Sequence, residues 1–226
     1  MDQDRIFSDS EGDRWFQRNK AALNVQDHID WPCYLIDLLG NKSGIRSILE
    51  LGCSNGYRLH TLFNLLGIDC RCVGVDASKE AVRDGKERHP ELELHQGTLS
   101  AVPLQGEFDL VIVNFVLHWV DRKALARSLS EIDRLIKNDG FLILGDFLPD
   151  HQQRRRYHHL PNETVYTYKQ DYAKTFVALG TYQEITKITY NHDTRTTAPV
   201  IMPSSSSARA VCSVLHKSLA GYYPEV

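Results

Sequence analysis

The run Glu50-Leu51-Gly52-Cys53-Ser54-Asn55-Gly56 constrains the fold of this 226-residue chain more than any other feature. Ahead of it, Ser47 to Leu51 mixes apolar and β-compatible residues. Behind it, Leu59, Leu62, Phe63 and Leu66 recur at helical spacing, so the hydrophobic period changes across the glycines. The segment therefore reads as strand, tight turn and helix. Glycine removes the Cβ that would hold a ligand away from the backbone, and the helix start offers unpaired N–H groups to an anionic part of it.

Cys72-Val73-Gly74-Val75 reads as a second buried strand that delivers Asp76 at its end. Asp76 lies about 20 residues beyond Gly56, the offset expected between a glycine turn and a ribose-binding acid, so the ligand carries a nucleoside. Two ligands fit, a dinucleotide such as NAD and the methyl donor S-adenosylmethionine. NAD sites prefer G-x-G-x-x-G, and counting from Gly52 this chain has Ser54 and Tyr57 at the second and third glycines. The dinucleotide reading is the weaker one.

Acid-Leu-Gly-x-x-x-Gly at a strand end resembles motif I of the class I S-adenosylmethionine-dependent methyltransferases, with Ser54 in place of the usual middle glycine. The resemblance continues in order. Asp76 and Ala77 match the acid turn after the second strand. Leu92 to Leu99 looks like the third strand and the turn beside the adenine, with Thr98 where aspartate is frequent and Pro103 following. Phe108-Asp109-Leu110-Val111-Ile112-Val113-Asn114 is similar to the family's fourth strand, and Phe115 to Val120 to its post-strand segment. Leu125 to Ile136 reads as an amphipathic helix stopped by Asn138-Asp139-Gly140, before a fifth strand from Phe141 to Leu144.

The fold so implied is α/β and Rossmann-like, doubly wound, with a mostly parallel seven-stranded sheet, helices on both faces and an antiparallel C-terminal edge. The expected organisation is a single domain over residues 1–226. It divides into an N-terminal helical cap (1–45), a donor-binding core (46–147), a substrate-side insertion (148–180) and C-terminal strands (181–226). Tyr182 to Tyr190 and Ala210 to Leu215 supply the last strands, joined through Pro203-Ser204-Ser205-Ser206-Ser207. Trp31-Pro32 opens a cap helix that runs to Leu39 and ends at Gly40-Asn41, proline suiting its first turn.

By that resemblance the donor is S-adenosylmethionine, held by Glu50, Gly52, Cys53, Ser54, Gly56, Asp76, Ala77, Thr98, Leu99, Asn114 and Phe115. Trp15 and Arg18, on a helix before motif I, can close over it. The segment after the fifth strand is dense in polar aromatics and lies beyond the carboxyl ends of the strands, where α/β sheets bind ligands. Tyr157, His159, Tyr168 and Tyr172 are therefore the acceptor candidates. His118, with Asp146 and His158 behind it, is the candidate general base, since a neutral imidazole near pH 7 suits proton removal. The turn together with Tyr168-Lys169-Gln170-Asp171-Tyr172 also resembles a group of small bacterial methyltransferases associated with sugar pathways. That implies a small polar metabolite or saccharide, with O- and N-methylation both open.

Twenty-six basic against 29 acidic residues disfavour a broad nucleic-acid surface. Arg154-Arg155-Arg156 is the exception, read as a solvated face or as a patch facing a phosphorylated substrate. No apolar stretch approaches a membrane span. The opening Met1-Asp2-Gln3-Asp4-Arg5 lacks a basic start and apolar middle, so cytoplasmic residence is the expectation. Cysteines 33, 53, 70, 72 and 212 form no even framework, and no metal site is expected. A ligand-binding protein of the same fold without turnover is the alternative class.

Overall fold

The computed structural model describes residues 3–23, 29–39, 44–67, 69–193, 208–220 and 222. The N-terminal helical segment runs through α1 (Gln3–Ile6), a π-helical turn (Phe7–Glu11) and α2 (Gly12–Leu23). Then follow α3 (Trp31–Leu38), β1 (Ser47–Leu51), α4 (Tyr57–Leu66), β2 (Arg71–Asp76), α5 (Lys79–Arg88) and β3 (Glu93–Gln96). Next come β4 (Phe108–Asn114), a 3₁₀ turn (Leu117–Trp119), α6 (Leu125–Arg134) and β5 (Ile136–Phe147). The chain continues through β6 (Gln153–Arg156), β7 (Tyr166–Lys169), α7 (Ala173–Val177), β8 (Tyr182–Asn191) and β9 (Arg209–Lys217).

Seven strands form one sheet in the order β3-β2-β1-β4-β5-β9-β8. β1 to β5 pair in parallel, and β9 runs antiparallel to both β5 and β8. Alternate side chains bury on opposite faces. Leu49, Leu51, Val73, Val75, Val111 and Val113 meet Ile132 of α6 and Phe176 of α7 on one side. Ile48, Cys72, Leu110, Ile112 and Ile143 meet Leu35 and Ile36 of α3 and Leu59 and Leu62 of α4 on the other. Burial on both faces explains why the central strands are continuous apolar runs. Strand order reverses between β1 and β4, so a crevice opens at their carboxyl ends, where ligands bind in such sheets.

The boundaries between α6 and β5 differ most from the sequence reading, which put the fifth strand at Phe141 to Leu144. The helix expected to reach Ile136 ends at Arg134, and Ile136 already pairs with Phe108 in β5. Asn138-Asp139-Gly140 is a bulge inside β5 rather than a helix stop, with Asp139 at φ +61° where the register jumps from Phe108/Ile136 to Leu110/Phe141. Leu135 and Ile136 are fully buried, so their apolar character continues the helical pattern although they leave the helix. The expected Gly40-Asn41 stop and the Pro203 to Ser207 turn lie outside the described residues.

Asp30 caps α3 by accepting from Cys33 N at 3.0 Å, with Pro32 in the first turn, where a missing N–H costs nothing. β6 and β7 form a separate antiparallel hairpin within the insertion. Among the described residues no helix is long and apolar enough to cross a membrane.

Gly74 in β2 is closely packed: a Cβ there would stand 2.6 Å from Cys53 Sγ and 2.7 Å from Leu94 Cδ2. Gly74→Ala is expected to lower unfolding free energy by about 1–3 kcal/mol through overpacking. Urea denaturation measures it, and an unchanged midpoint would mean that the turn and β3 yield freely.

Candidate active site

The glycine turn holds its shape through backbone conformations that side chains rarely adopt. Gly52 and Gly56 lie at φ +79° and +78°, and a Cβ on Gly52 would overlap Val116 Cγ2. Ser54, at φ +53°, is held in the left-handed region because its N–H donates to Asp76 Oδ2 at 2.7 Å. Asp76 Oδ1 accepts from Ser78 N at 2.8 Å. Burial pushes the Asp76 carboxyl up, and these two N–H donors oppose the shift.

Behind the turn, Glu50 is 1% exposed and pairs with Arg58, which also grips Asp30 through Nε at 2.9 Å. Burial raises the Glu50 carboxyl to about 7 despite the guanidinium. Asp30, also pushed up by burial, is held below the ordinary carboxylate range by Arg58 and by the Cys33 N–H. The trio fastens α3 to α4 beneath the turn.

A cavity of about 1210 Å³ runs from this turn to the insertion. Its walls include Trp15, Gly52, Ser54, Asp76, Ala77, Thr98, Leu99, Asn114, Phe115, His118, Tyr157, His158 and His159, residues far apart in sequence that the fold brings together. Ser54 Oγ and Asn114 Oδ1 are buried without a hydrogen-bond partner among the described residues. Two such orphaned oxygens beside a bare glycine backbone fit the polar amino-acid portion of S-adenosylmethionine, and Asp76 fits its ribose. Phe115, at φ +57°, is a second non-glycine residue in the left-handed region, and its ring lies 6.1 Å from that of His118.

His118 is 3% exposed. Its Nδ1 lies 3.0 Å from Asp146 Oδ1, off the line of a hydrogen bond, while its backbone N–H donates to Asp146 Oδ2 at 3.2 Å. Phe147 N donates to Asp146 Oδ1 at 2.7 Å. Asp146 is thus behind His118 rather than on the cavity wall.

Several expected positions lie elsewhere. Glu50 and Gly56 support the turn from behind, and Cys53 buries its thiol against Gly74 and Leu94 in the core. Arg18 is off the wall: it pairs with buried Glu11 and donates to Tyr157 Oη at 2.8 Å, pinning α2 to the insertion. Tyr172 is 2% exposed, its hydroxyl set between the carbonyls of Leu117 and Tyr168, so it is a core residue rather than an acceptor contact. Tyr168 also leaves the cavity, its ring lying 4.3 Å from the Arg122 guanidinium carbon. It sits on the hairpin face opposite Lys169, because successive strand residues point to opposite sides.

The structure adds residues that sequence reasoning missed. Phe147 and His192 line the cavity near His118, as does Lys169 of the segment dense in polar aromatics, the Phe147 ring lying 5.1 Å from His118 and 4.9 Å from His192. Burial holds the His192 imidazole below its ordinary pKa, against Asp193, whose carboxylate lies 3.2 Å from Nδ1. No local signal marks His192, which reaches the site only because β8 pairs with β9. The cap is fastened by polar side chains. Asp13 accepts from Ser78 Oγ at 2.6 Å and Glu80 N at 2.9 Å, Lys20 meets Asp84 at 2.6 Å, and Gln3 bonds both N–H and C=O of Tyr166. Away from this wall chemistry, His60, His89 and Glu91 converge, with His60 Nδ1 and Glu91 Oε1 bonded to each other at 2.6 Å.

Residues 48–140 match a family described as "Methyltransferase domain". A probable S-adenosylmethionine-dependent methyltransferase of Mycobacterium tuberculosis is 31% identical over 58% of this chain and 42% of its own length. The first four curated relatives are matched over 33% to 55% of their lengths, so the chain spans about half of each or less. The solved 1,6-didemethyltoxoflavin-N1-methyltransferase of Burkholderia thailandensis, holding 1,6-didemethyltoxoflavin and S-adenosylhomocysteine, superimposes at TM-score 0.69. The match covers 94% of this chain and 88% of that one at 12% identity. A TehB-like S-adenosylmethionine-dependent methyltransferase of Corynebacterium glutamicum gives TM-score 0.60 over 93% and 98% of the two chains at 19% identity. These two likenesses establish the shared fold.

The raised Glu50 carboxyl sets a pH dependence. Because its folded pKa lies above the ordinary carboxylate value of 4.5, its stabilising contribution is complete below that value and is lost as pH rises through about 7. The stability of the wild type minus that of Glu50→Gln is expected to fall between pH 4.5 and 7 in paired denaturant titrations. A flat difference would refute the assignment.

Proposed function

We propose that this chain, whose residues 48–140 match a methyltransferase domain, transfers a methyl group from S-adenosylmethionine to an O or N atom of a small polar acceptor, saccharides included. The observation that carries the reading is the single cavity joining Gly52, Ser54 and Asp76 at one end to His118 and Tyr157 at the other. At about 1210 Å³ it exceeds the roughly 300–1,000 Å³ usual for one drug-sized ligand, so donor and acceptor fit together. The Burkholderia enzyme, of the same fold, holds a small heterocycle beside S-adenosylhomocysteine, which supports a small molecule rather than nucleic acid as acceptor.

When bound, S-adenosylmethionine supplies a sulfonium methyl whose C–S bond breaks toward sulfur as the acceptor lone pair bonds to carbon, leaving S-adenosylhomocysteine. The protein orients and excludes water. Ser54 and Asn114 offer their orphaned oxygens to the donor's amino acid portion, Asp76 its carboxylate to the ribose, and Thr98 and Leu99 the wall beside the base. Trp15, held over the crevice by the α2–α5 contacts, closes it. Holding two reactants in attack geometry supplies up to about 7–11 kcal/mol of barrier reduction. His118 receives the proton released by a hydroxyl or amine acceptor, and Asp146 steadies the imidazolium so formed.

Calorimetry is expected to show binding of S-adenosylmethionine and S-adenosylhomocysteine but not NAD, and Asp76→Ala is expected to weaken S-adenosylhomocysteine at least about tenfold. His118→Ala is expected to lower kcat by roughly 10²–10⁴ on an accepted substrate while the S-adenosylhomocysteine Kd stays within about twofold. NAD binding alone would point to an oxidoreductase. Donor binding with no turnover across an acceptor panel would point to a non-catalytic ligand-binding role.

A further inference from the structure

The acceptor end of the cavity is built as a cationic wall by the insertion hairpin. In the β6–β7 register Gln153 pairs with Lys169 and Arg155 with Thr167, and residues directly opposite in a ladder project from the same face. That face carries Arg155, Thr167 and Lys169 into the cavity wall. The opposite face is spoken for by packing: the Arg154 guanidinium carbon lies 4.5 Å from the Tyr166 ring centre, and Tyr168 lies under Arg122. Arg156, although it borders the cavity, donates to Pro161 O at 3.0 Å. Among the described residues the Arg155 guanidinium makes no side-chain hydrogen bond or ion pair. The arginine triplet thus divides by strand alternation into neighbours with local partners and one member turned to the cavity.

Lys169 stands close to the reacting end. Its ammonium lies 3.4 Å from the Phe147 ring centre, and the same ring lies 5.1 Å from His118 and 4.9 Å from His192. His158 and His159 line the same region. The carboxylates whose charge acts on Lys169 include Asp193 and Asp146. Asp146 accepts from the backbone of His118 and Phe147, and Asp193 lies against the His192 ring. Burial and the Arg155 charge hold the Lys169 ammonium below its ordinary pKa, with Asp193 and Asp146 in opposition, a cost that a bound anion relieves. The ribose end has the reverse character, with Asp4 and Asp76 on the wall.

We propose that Arg155 and Lys169 form an anion subsite that anchors a carboxylate or phosphate group of the acceptor beside His118. The inference rests on the donor-and-acceptor reading given above and narrows it to acceptors whose methylated atom lies within a few bonds of an oxyanion. A guanidinium fork and an ammonium on one face of the hairpin, near enough that the Arg155 charge acts on Lys169, are the donor set that an oxyanion takes, and both ligand sources share that chemistry.

The test uses the full chain saturated with S-adenosylhomocysteine and titrates it with inorganic phosphate and, separately, with acetate, read by calorimetry and by amide chemical shifts of β6 and β7. Saturable binding of at least one anion is expected, phosphate the tighter for a phosphorylated acceptor and acetate for a carboxylate. Lys169→Gln and Arg155→Gln should each weaken that anion at least about tenfold, the loss of one charge-assisted hydrogen bond. Arg154→Gln, of equal charge on the other face, should change it less than about twofold, and Lys169→Arg should restore most of the loss. The S-adenosylhomocysteine Kd should be unchanged in all four variants, which also certifies their folding. Equal weakening by all three glutamine variants, or no saturable binding by the wild type, would overturn the subsite. Failure of S-adenosylhomocysteine to bind would count against the donor reading instead, and the same anion titrations without it would still decide the subsite.

Discussion

The carboxylate of Asp76 joins the turn after β1, 22 residues earlier in the chain, to the start of α5, and the donor end takes its form from that bridge. One oxygen accepts from Ser54 in the turn after β1, and the other from Ser78, which opens α5. Ser54 would not rest in the left-handed region without compensation, since a residue with a Cβ is strained there. The acid has to be buried to do this, and burial pushes its carboxyl pKa up. The two N–H donors oppose that shift, so the groups that Asp76 positions also favour its charged form.

Around this bridge the molecule divides into parts with different kinds of support. The sheet and its flanking helices are held by apolar packing on both faces. The first helical segment meets the rest through polar side chains, Gln3 on Tyr166, Asp13 on α5, and Arg18 with Glu11 on Tyr157, and through a small apolar cluster of Ile6 and Phe7 with Tyr157, Leu160 and Val165. Segments held by few apolar contacts open at lower free energy than the core. The crevice is thus fixed on its floor and openable at its roof, an arrangement suited to ligands that have to enter and leave.

The floor was legible in the sequence because parallel strands covered on both faces write themselves as apolar runs. Ser47 to Leu51 and Phe108 to Asn114 have the bounds the residues suggested. Gly52, Ser54, Asp76, Asn114 and His118 share one cavity for the same reason, each standing at or just beyond a strand end. The roof was less legible. Gln3 to Glu11 carries no apolar period, and its helix is stabilised by distant partners. Gln153 to Arg156 lacks the alternation of a strand, and only its pairing with β7 shows which arginine faces inward. Tyr168 and Tyr172 were misplaced because a dense group of tyrosines has the same sequence signature whether the rings coat a pocket or fill the core. Burial separates the two, and burial is a tertiary property.

The π-helical turn from Phe7 to Glu11 has a mechanical consequence. Accommodating one extra residue per turn shifts the phase of everything after it by about 100°, the rotation of a single helical residue. Upstream, Gln3 addresses the hairpin and the Trp119 carbonyl, while downstream Asp13, Gln17 and Lys20 address α5. An uninterrupted α-helix of this sequence would serve one set of partners and turn the other toward solvent. The bulge therefore works as a phase shifter, letting one rod clasp two surfaces that no regular helical repeat would reach together.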